Sequence, residues 1–142
     1  MTSTLKVNTI QHTGGTTGIT VASDGKVAMP NTTQLGVGQT WTDVTSCRAK
    51  STEYQNTTGA PIMVSVSFTT NFTRRGQIQV SSSSGSGFIT IADADGGDYY
   101  SASADTPHYA NITVIIPNNI YYKLVHIGGT DTMTVQSWVE LR

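Results

Sequence analysis

Apolar residues recur at every second position in several stretches of this chain. Between Val64 and Thr69, apolar and hydroxyl side chains alternate without a break. This alternation puts one set of side chains on each face of an extended strand, as in a β-strand with one buried face. No stretch keeps apolar residues at three- and four-residue spacing over three helical turns. The sequence therefore predicts an all-β protein.

Turn signals recur about every eight to twelve residues after Trp41, which is typical of a jelly-roll-like antiparallel β-sandwich. A hairpin-like connection is predicted at Pro117–Asn119, and a hairpin turn at Asn71–Gly76. Residues 81–87 are serine and glycine and are interpreted as a hairpin tip. The predicted strands are Thr40–Ser46, Thr52–Asn56, Pro61–Thr69, Gln77–Ser82, Phe88–Ala92, Asn111–Ile116, Ile120–Ile127 and Asp131–Leu141.

Two side chains receive specific placements. In Asp131–Leu141, strict alternation points Met133 and Val135 inward and Trp138 outward, where a neighbouring subunit or, in a monomer, the N-terminal segment would cover the indole. Cys47 is the single cysteine of the chain. It is interpreted as a small core side chain, and a disulfide between two copies is the alternative.

The N-terminal stretch differs from the rest of the chain. Three short β-like runs, Leu5–Gln11, Gly14–Val21 and Ser23–Pro30, are separated by glycine turns and carry few apolar side chains. Strands this short do not bury enough surface to offset the loss of chain entropy, so they need a partner. We therefore expect residues 1–35 to form an anchor or trimerisation segment and residues 36–142 to form the sandwich domain.

Composition argues against several functions. Charged residues make up 12% of the chain and the net charge is −1, so no basic surface is expected to hold a nucleic acid. No apolar run approaches the roughly 20 residues of a membrane-spanning helix, so no membrane insertion is expected. The first residues show no signal-peptide pattern.

Four segments resemble proteins of tailed bacteriophages. Gly36–Ser46, Tyr54–Ile62 and the final Trp138–Arg142 resemble a small C-terminal domain of tail fibres and related tail proteins. Leu5–Gln11 is similar to a piece that often precedes such domains. The resemblance implies a homotrimeric virion protein, assembled in the host cytoplasm, that touches a bacterial surface glycan or protein. It also implies that the N-terminal segment contacts other tail or baseplate proteins.

Receptor contact is the leading functional hypothesis, and multivalent binding by three subunits is its mechanism. Tyrosine offers a flat apolar face with a hydroxyl, carboxylates accept hydrogen bonds from sugars, and arginine pairs with phosphate or carboxylate. Alternatively, the tyrosines are core or interface residues and the arginines are solubilising charges. The candidate receptor-binding residues are Arg74, Arg75, Asp95, Asp98, Tyr99, Tyr100, His108 and Tyr109.

Other functions receive less support from the sequence. Asp93, Asp95 and Asp98 lie in a predicted loop over Ala92–Pro107, where a solvated acidic turn is favoured over a calcium site. No cofactor is expected. No catalytic residue is expected, because no nucleophile–base pattern occurs. The alternatives are a decoration, collar or baseplate protein without a host ligand, and a carbohydrate-binding module of a bacterial surface protein.

Overall fold

Eleven β-strands and one 3-10 turn, Thr45–Cys47, form the secondary structure of the part of the chain that the structure describes. The structure is a computed structural model and describes residues 9–11, 14–15, 17–25, 27–28, 34–70, 74–95, 108–128 and 133–142. The strands are β1 (Thr9–Gln11), β2 (Thr17–Val21), β3 (Val27–Ala28), β4 (Trp41–Asp43), β5 (Tyr54–Gln55), β6 (Ile62–Thr70), β7 (Arg75–Ser81), β8 (Ile89–Asp95), β9 (His108–Ile116), β10 (Tyr121–Ile127) and β11 (Thr134–Leu141).

The chain divides into two compact units, Met1–Thr33 and Gln34–Arg142. In the smaller unit, β1, β2 and β3 form a three-stranded antiparallel sheet. The short strands predicted there are confirmed. Ile10 and Val27 on this sheet are 52% and 62% exposed. The sheet therefore leaves large apolar side chains open to solvent.

The larger unit consists of two four-stranded antiparallel sheets, which confirms the predicted all-β sandwich. Sheet B has the strand order β4-β11-β6-β9, and sheet C has the order β5-β10-β7-β8. The pairs β4–β11, β5–β10, β6–β9 and β7–β8 are nested, since each pair encloses the next along the sequence. Apart from the β7–β8 hairpin, consecutive strands of this unit therefore lie in different sheets.

The core lies between the sheets. Alternate residues of β6 supply one layer, with Val64, Val66 and Phe68 fully buried, and β7 and β10 supply the other with Ile78 and Leu124. The regular alternation of β6 is the one seen in the sequence. A fully buried aliphatic or aromatic side chain stabilises a fold by about 1.5–3 kcal/mol, so this strand is a main contributor to stability.

Two connections differ from the predicted hairpins, because the strands on either side of them pair with other strands. Pro117–Asn119 joins β9 of sheet B to β10 of sheet C, and β6 and β7, which flank Asn71–Gly76, also belong to different sheets. Buried Asn56 holds the first crossing: its Nδ2 donates to the carbonyls of Ile116 and Pro117 at 3.0 and 3.1 Å. A short connection therefore passes from one sheet to the other.

The predicted outward position of Trp138 is wrong. Trp138 and Glu140 are both 0% exposed. Strand β11 has a β-bulge: Val135 pairs with Phe68 and Ser137 pairs with the preceding residue of β6, so Gln136 is left over. An extra residue shifts the alternation by one position. Every side chain after the bulge therefore faces opposite to the prediction.

Two further placements are corrected. Cys47 is exposed in the 3-10 turn and is not part of the core. Ala92–Asp95 belongs to β8 rather than to a loop. The exposed Asp93 and Asp95 alternate with the half-buried Ala92 and Ala94, so the segment behaves as a strand with one packed face.

Candidate functional site

Six strands of the larger unit begin or end at one end of the sandwich, which we call the loop end. In sheet B, the last residue of β6, Thr70, pairs with the first residue of β9, His108. In sheet C, Arg75 at the start of β7 pairs with Asp95 at the end of β8 and with Ile127 at the end of β10. Each sheet thus contributes candidate residues at its strand ends.

Close packing joins the two sheets near the loop end. Gly76 is buried, and a Cβ added there would lie 2.3 Å from Cζ of Phe68. Glycine is therefore required at this position, because any side chain would collide with a fully buried ring. The contact brings the start of β7 directly over the last residues of β6 and fixes Arg75 close to the end of sheet B.

A network of hydrogen-bonded polar side chains covers the outer face of sheet C near the loop end. Arg75 Nη1 and Gln77 Nε2 both donate to Asp93 Oδ2, at 3.1 and 3.3 Å. The Arg75 and Asp93 side chains are 52% and 39% exposed, so this ion pair adds about 0–1 kcal/mol to stability. Both groups remain accessible to a ligand that offers better partners.

The other candidates at the loop end differ in exposure. Tyr109 is 75% exposed, so it is not a core residue. Arg74 is half-buried and donates from Nη1 to the Gly128 carbonyl at 3.3 Å. The buried His108 Nε2 and Thr70 Oγ1 have no hydrogen-bond partner among the described residues. The loop end thus carries an exposed aromatic ring, a half-buried guanidinium and two buried polar atoms without a partner among the described residues.

Asp98, Tyr99 and Tyr100 lie outside the described residues. Asp93 and Asp95 stand two residues apart on a strand, and Asp93 is engaged by Arg75 and Gln77. Within the described ranges, no group of three or more His, Cys, Asp or Glu side chains is arranged to hold a metal ion.

A buried ionic cluster was missed by sequence reasoning. Arg48 binds the fully buried Glu140 carboxylate with two nitrogens, at 2.9 and 3.1 Å, and Tyr122 donates its hydroxyl at 2.7 Å. Arg142 Nη1 lies 3.2 Å from the same carboxylate, and the Arg48 guanidinium stacks 4.3 Å from the Tyr54 ring centroid. With its oxygens occupied, the carboxylate serves the fold rather than an incoming ligand.

Burial and charge set the protonation of this cluster. Burial raises the pKa of the Tyr122 phenol, and its hydrogen bond to Glu140 raises it further. Burial disfavours the charged form of Arg48 and is the largest single influence on its pKa, but the hydrogen bond to Glu140 and the further interactions with Tyr122 and Glu140 together outweigh it, so the pKa of Arg48 is raised. Tyr122 therefore stays a donor, and Arg48 stays a cation.

An open cavity of about 360 Å³ lies at the opposite end of the sandwich. Its walls are mostly apolar, and they include Ile89, which is 64% exposed. None of the lining residues is charged. The cavity is lined by Val80, Ser81, Ser82, Gly87, Ile89, Pro117 and Ile120.

No segment among the described residues is a helix long and apolar enough to span a bilayer. Comparison with protein-family models, with curated proteins and with solved structures finds no match to this chain.

Proposed function

We propose that this protein is a homotrimeric tail-fibre subunit of a tailed bacteriophage, located in the virion, that attaches the particle to the bacterial surface through its loop end. The resemblance of Gly36–Ser46, Tyr54–Ile62 and Trp138–Arg142 to tail-fibre domains supports this proposal. The observation that carries it is the position of Tyr109, 75% exposed on a strand that begins at the loop end. Arg75 and Asp95 stand on the strands of sheet C that begin and end there.

The nested strand pairs support the architecture that this function needs. We infer that the larger unit is a jelly roll, because four nested antiparallel pairs distributed alternately over two sheets describe one long ribbon wound into a sandwich. A wound sandwich holds its connecting segments at fixed strand ends. Tyr109, Arg75 and Asp95 stand on such strand ends, so a rigid scaffold positions them.

The chemistry of the loop end suits a weak polar ligand. An exposed tyrosine stacks on a sugar or protein surface, and the guanidinium of Arg75 pairs with phosphate or carboxylate. Tyr109 and Arg75 stand on the outer faces of different sheets, so each makes a contact of its own, and a single contact of this kind binds weakly. Three sites on one fibre and several fibres on one particle raise the overall affinity by the effective concentration of the second and third contacts.

Adsorption competition tests the proposal. Purified protein should block adsorption of the phage to its host, and Tyr109→Ala with Arg75→Ala should weaken the block at least about tenfold, the scale of losing well-packed contacts at a binding site. Thr90→Ala is the matched control, because Thr90 is an exposed residue near the start of β8, at the end of the sandwich opposite the loop end. Full blocking by the double variant would refute the loop-end site.

A structural virion protein without a host ligand is the second candidate. The outer face of sheet B favours it, because its exposed rows of serine, threonine and asparagine suit packing against other virion proteins. In that case neither the wild type nor any variant blocks adsorption, and antibodies against the protein label the particle without neutralising it.

A further inference from the structure

Four large apolar side chains form a row across the outer face of sheet B. The register pairs Trp41 with Leu141, Leu141 with Met63, and Met63 with Ile115. Ile62, the neighbour of Met63, is buried in the core, so Met63 points to the opposite face. Residues directly opposite each other on antiparallel strands share a face, so all four side chains point outward.

The most exposed members of the row lie at its two ends. Trp41 is 54% exposed and Ile115 is 53% exposed, because β4 and β9 are the edge strands of sheet B. Leu141 and Met63, between them, are half-buried. Both edges of the sheet therefore carry a large exposed apolar side chain, and the two belong to the same cross-strand row. Such a surface suits contact with another protein.

The polar rows beside the apolar row tolerate burial. Ser65 Oγ and Thr113 Oγ1 lie 2.9 Å apart, Asn111 Nδ2 donates to Ser65 Oγ at 3.4 Å, and Thr113 Oγ1 donates to Asn111 Oδ1 at 3.2 Å. Because these groups satisfy one another, covering them leaves few unpaired donors or acceptors. Asp43, at the β4 edge, is the charged side chain of these outward rows.

We propose that this face is the contact between copies of the chain, and that Trp41 of one copy packs against Ile115 of the next. The proposal rests on the homotrimer of the proposed function and names the surface that forms it. In a cyclic assembly whose axis runs along the strands, the β4 edge of one copy meets the β9 edge of its neighbour. The two ends of the row then meet at one level, and a contact between unlike edges closes into a ring.

The charge of the face favours a second copy as its occupant. A face with one charged side chain meets its own copy without strong like-charge repulsion. The apolar row lies at the opposite end of the β6–β9 pair from Tyr109, which pairs with Thr69, so the contact does not include the side chain assigned to receptor binding.

Light scattering on the full-length chain tests the proposal. The wild type should show about three times the 15.1 kDa chain mass, and Trp41→Lys or Ile115→Asp should each reduce the mass to that of one chain. The two substitutions together should restore part of the assembly, because opposite charges then meet across the contact. Ile89→Asp is the matched control: Ile89 is 64% exposed but lies on sheet C, so its mass should stay that of the wild type.

Each outcome decides a separate point. Near-ultraviolet circular dichroism checks that the single variants remain folded. Trp41 fluorescence in the wild type reports association without a mutation, since dilution should separate the copies and shift the emission of Trp41 to the red. A wild type that is monomeric at every concentration overturns both this interface and the homotrimer. A multimeric wild type whose mass neither single variant lowers overturns the interface alone and leaves the proposed function standing.

Discussion

Glu140 illustrates how a single residue can depend on contacts remote in sequence. An ionised carboxylate without partners is strongly destabilising in a protein core. Here Arg48, Tyr122 and Arg142 all contact it, and Arg48 stands 92 positions earlier in the chain. No local pattern around Glu140 predicts this cluster, since the alternation that placed Trp138 on the outer face places Glu140, two residues later, there as well.

At this scale we predict how stability depends on the Tyr122 hydroxyl. Tyr122→Phe should lower the free energy of unfolding by about 1–3 kcal/mol at pH 7, because a buried bond to a charged acceptor is lost. The folded pKa of Tyr122 is raised above that of an unfolded tyrosine, about 10. Stability from this group is therefore complete below about pH 10 and is lost as pH rises beyond it.

Urea unfolding between pH 7 and pH 11 checks the prediction. The difference between the wild type and Tyr122→Phe should be constant up to about pH 10 and should shrink above it. Comparing the two proteins removes the contribution of other groups that titrate in the same range. A difference that is unchanged at pH 11 would show that the hydroxyl does not retain its proton in the folded chain.

At the scale of the element, regular strands were predictable and the bulged strand was not. In β6 every second residue from Ile62 to Phe68 is buried, so the alternation read from the sequence gives the correct face there. In β11 the extra residue, Gln136, carries no sequence signal that separates it from its neighbours. The prediction therefore kept one phase throughout and assigned Trp138 to solvent, although the indole is fully buried.

Deleting Gln136 tests the role of the bulge. Val135 and Ser137 already pair with adjacent residues of β6, so the shortened strand keeps Trp138 and Glu140 inward. We expect a cost of about 1 kcal/mol, chiefly from the lost bond between Gln136 Nε2 and Thr69 Oγ1, 3.3 Å apart in the wild type.

Deleting Val139 instead is the control, because it turns Glu140 outward and leaves Arg48 without its carboxylate. That change should cost about 3–5 kcal/mol, as when one partner of a buried ion pair is removed. Thermal unfolding of both variants measures the contrast. Equal costs for the two deletions would mean that the inward phase after residue 136 is not what stabilises β11.

At the scale of the whole molecule, the sequence predicted the class of fold but only part of the candidate site. Arg75 was named as a candidate from a predicted hairpin turn and Asp95 from a predicted loop, whereas the structure places both on strands and pairs them in register. The strand pairing was less predictable. The short turn at Pro117–Asn119 locally favours a hairpin. In the structure, the nested pairing places β9 and β10 in different sheets. Whether such a turn forms a hairpin or crosses between sheets depends on the pairing of all the strands.

The division into two units leads to a last prediction. The larger unit has its own core between sheets B and C, including Phe68, Leu124 and Trp138, whereas the three strands of the smaller unit leave Ile10 and Val27 half or more exposed. Residues 34–142 expressed alone should therefore unfold in one cooperative transition, within a few degrees of the main transition of the full chain, a shift that corresponds to about 1 kcal/mol.

A peptide of residues 1–33 is the complementary sample and should lack a cooperative transition, because three strands this short are marginal by themselves. Near-ultraviolet circular dichroism of the buried Trp138 follows the larger fragment without contribution from the smaller unit. A fragment 34–142 that is soluble but shows no sharp transition would mean that its two sheets need the first 33 residues, and the smaller unit would then be part of the fold rather than a separate element that needs other chains.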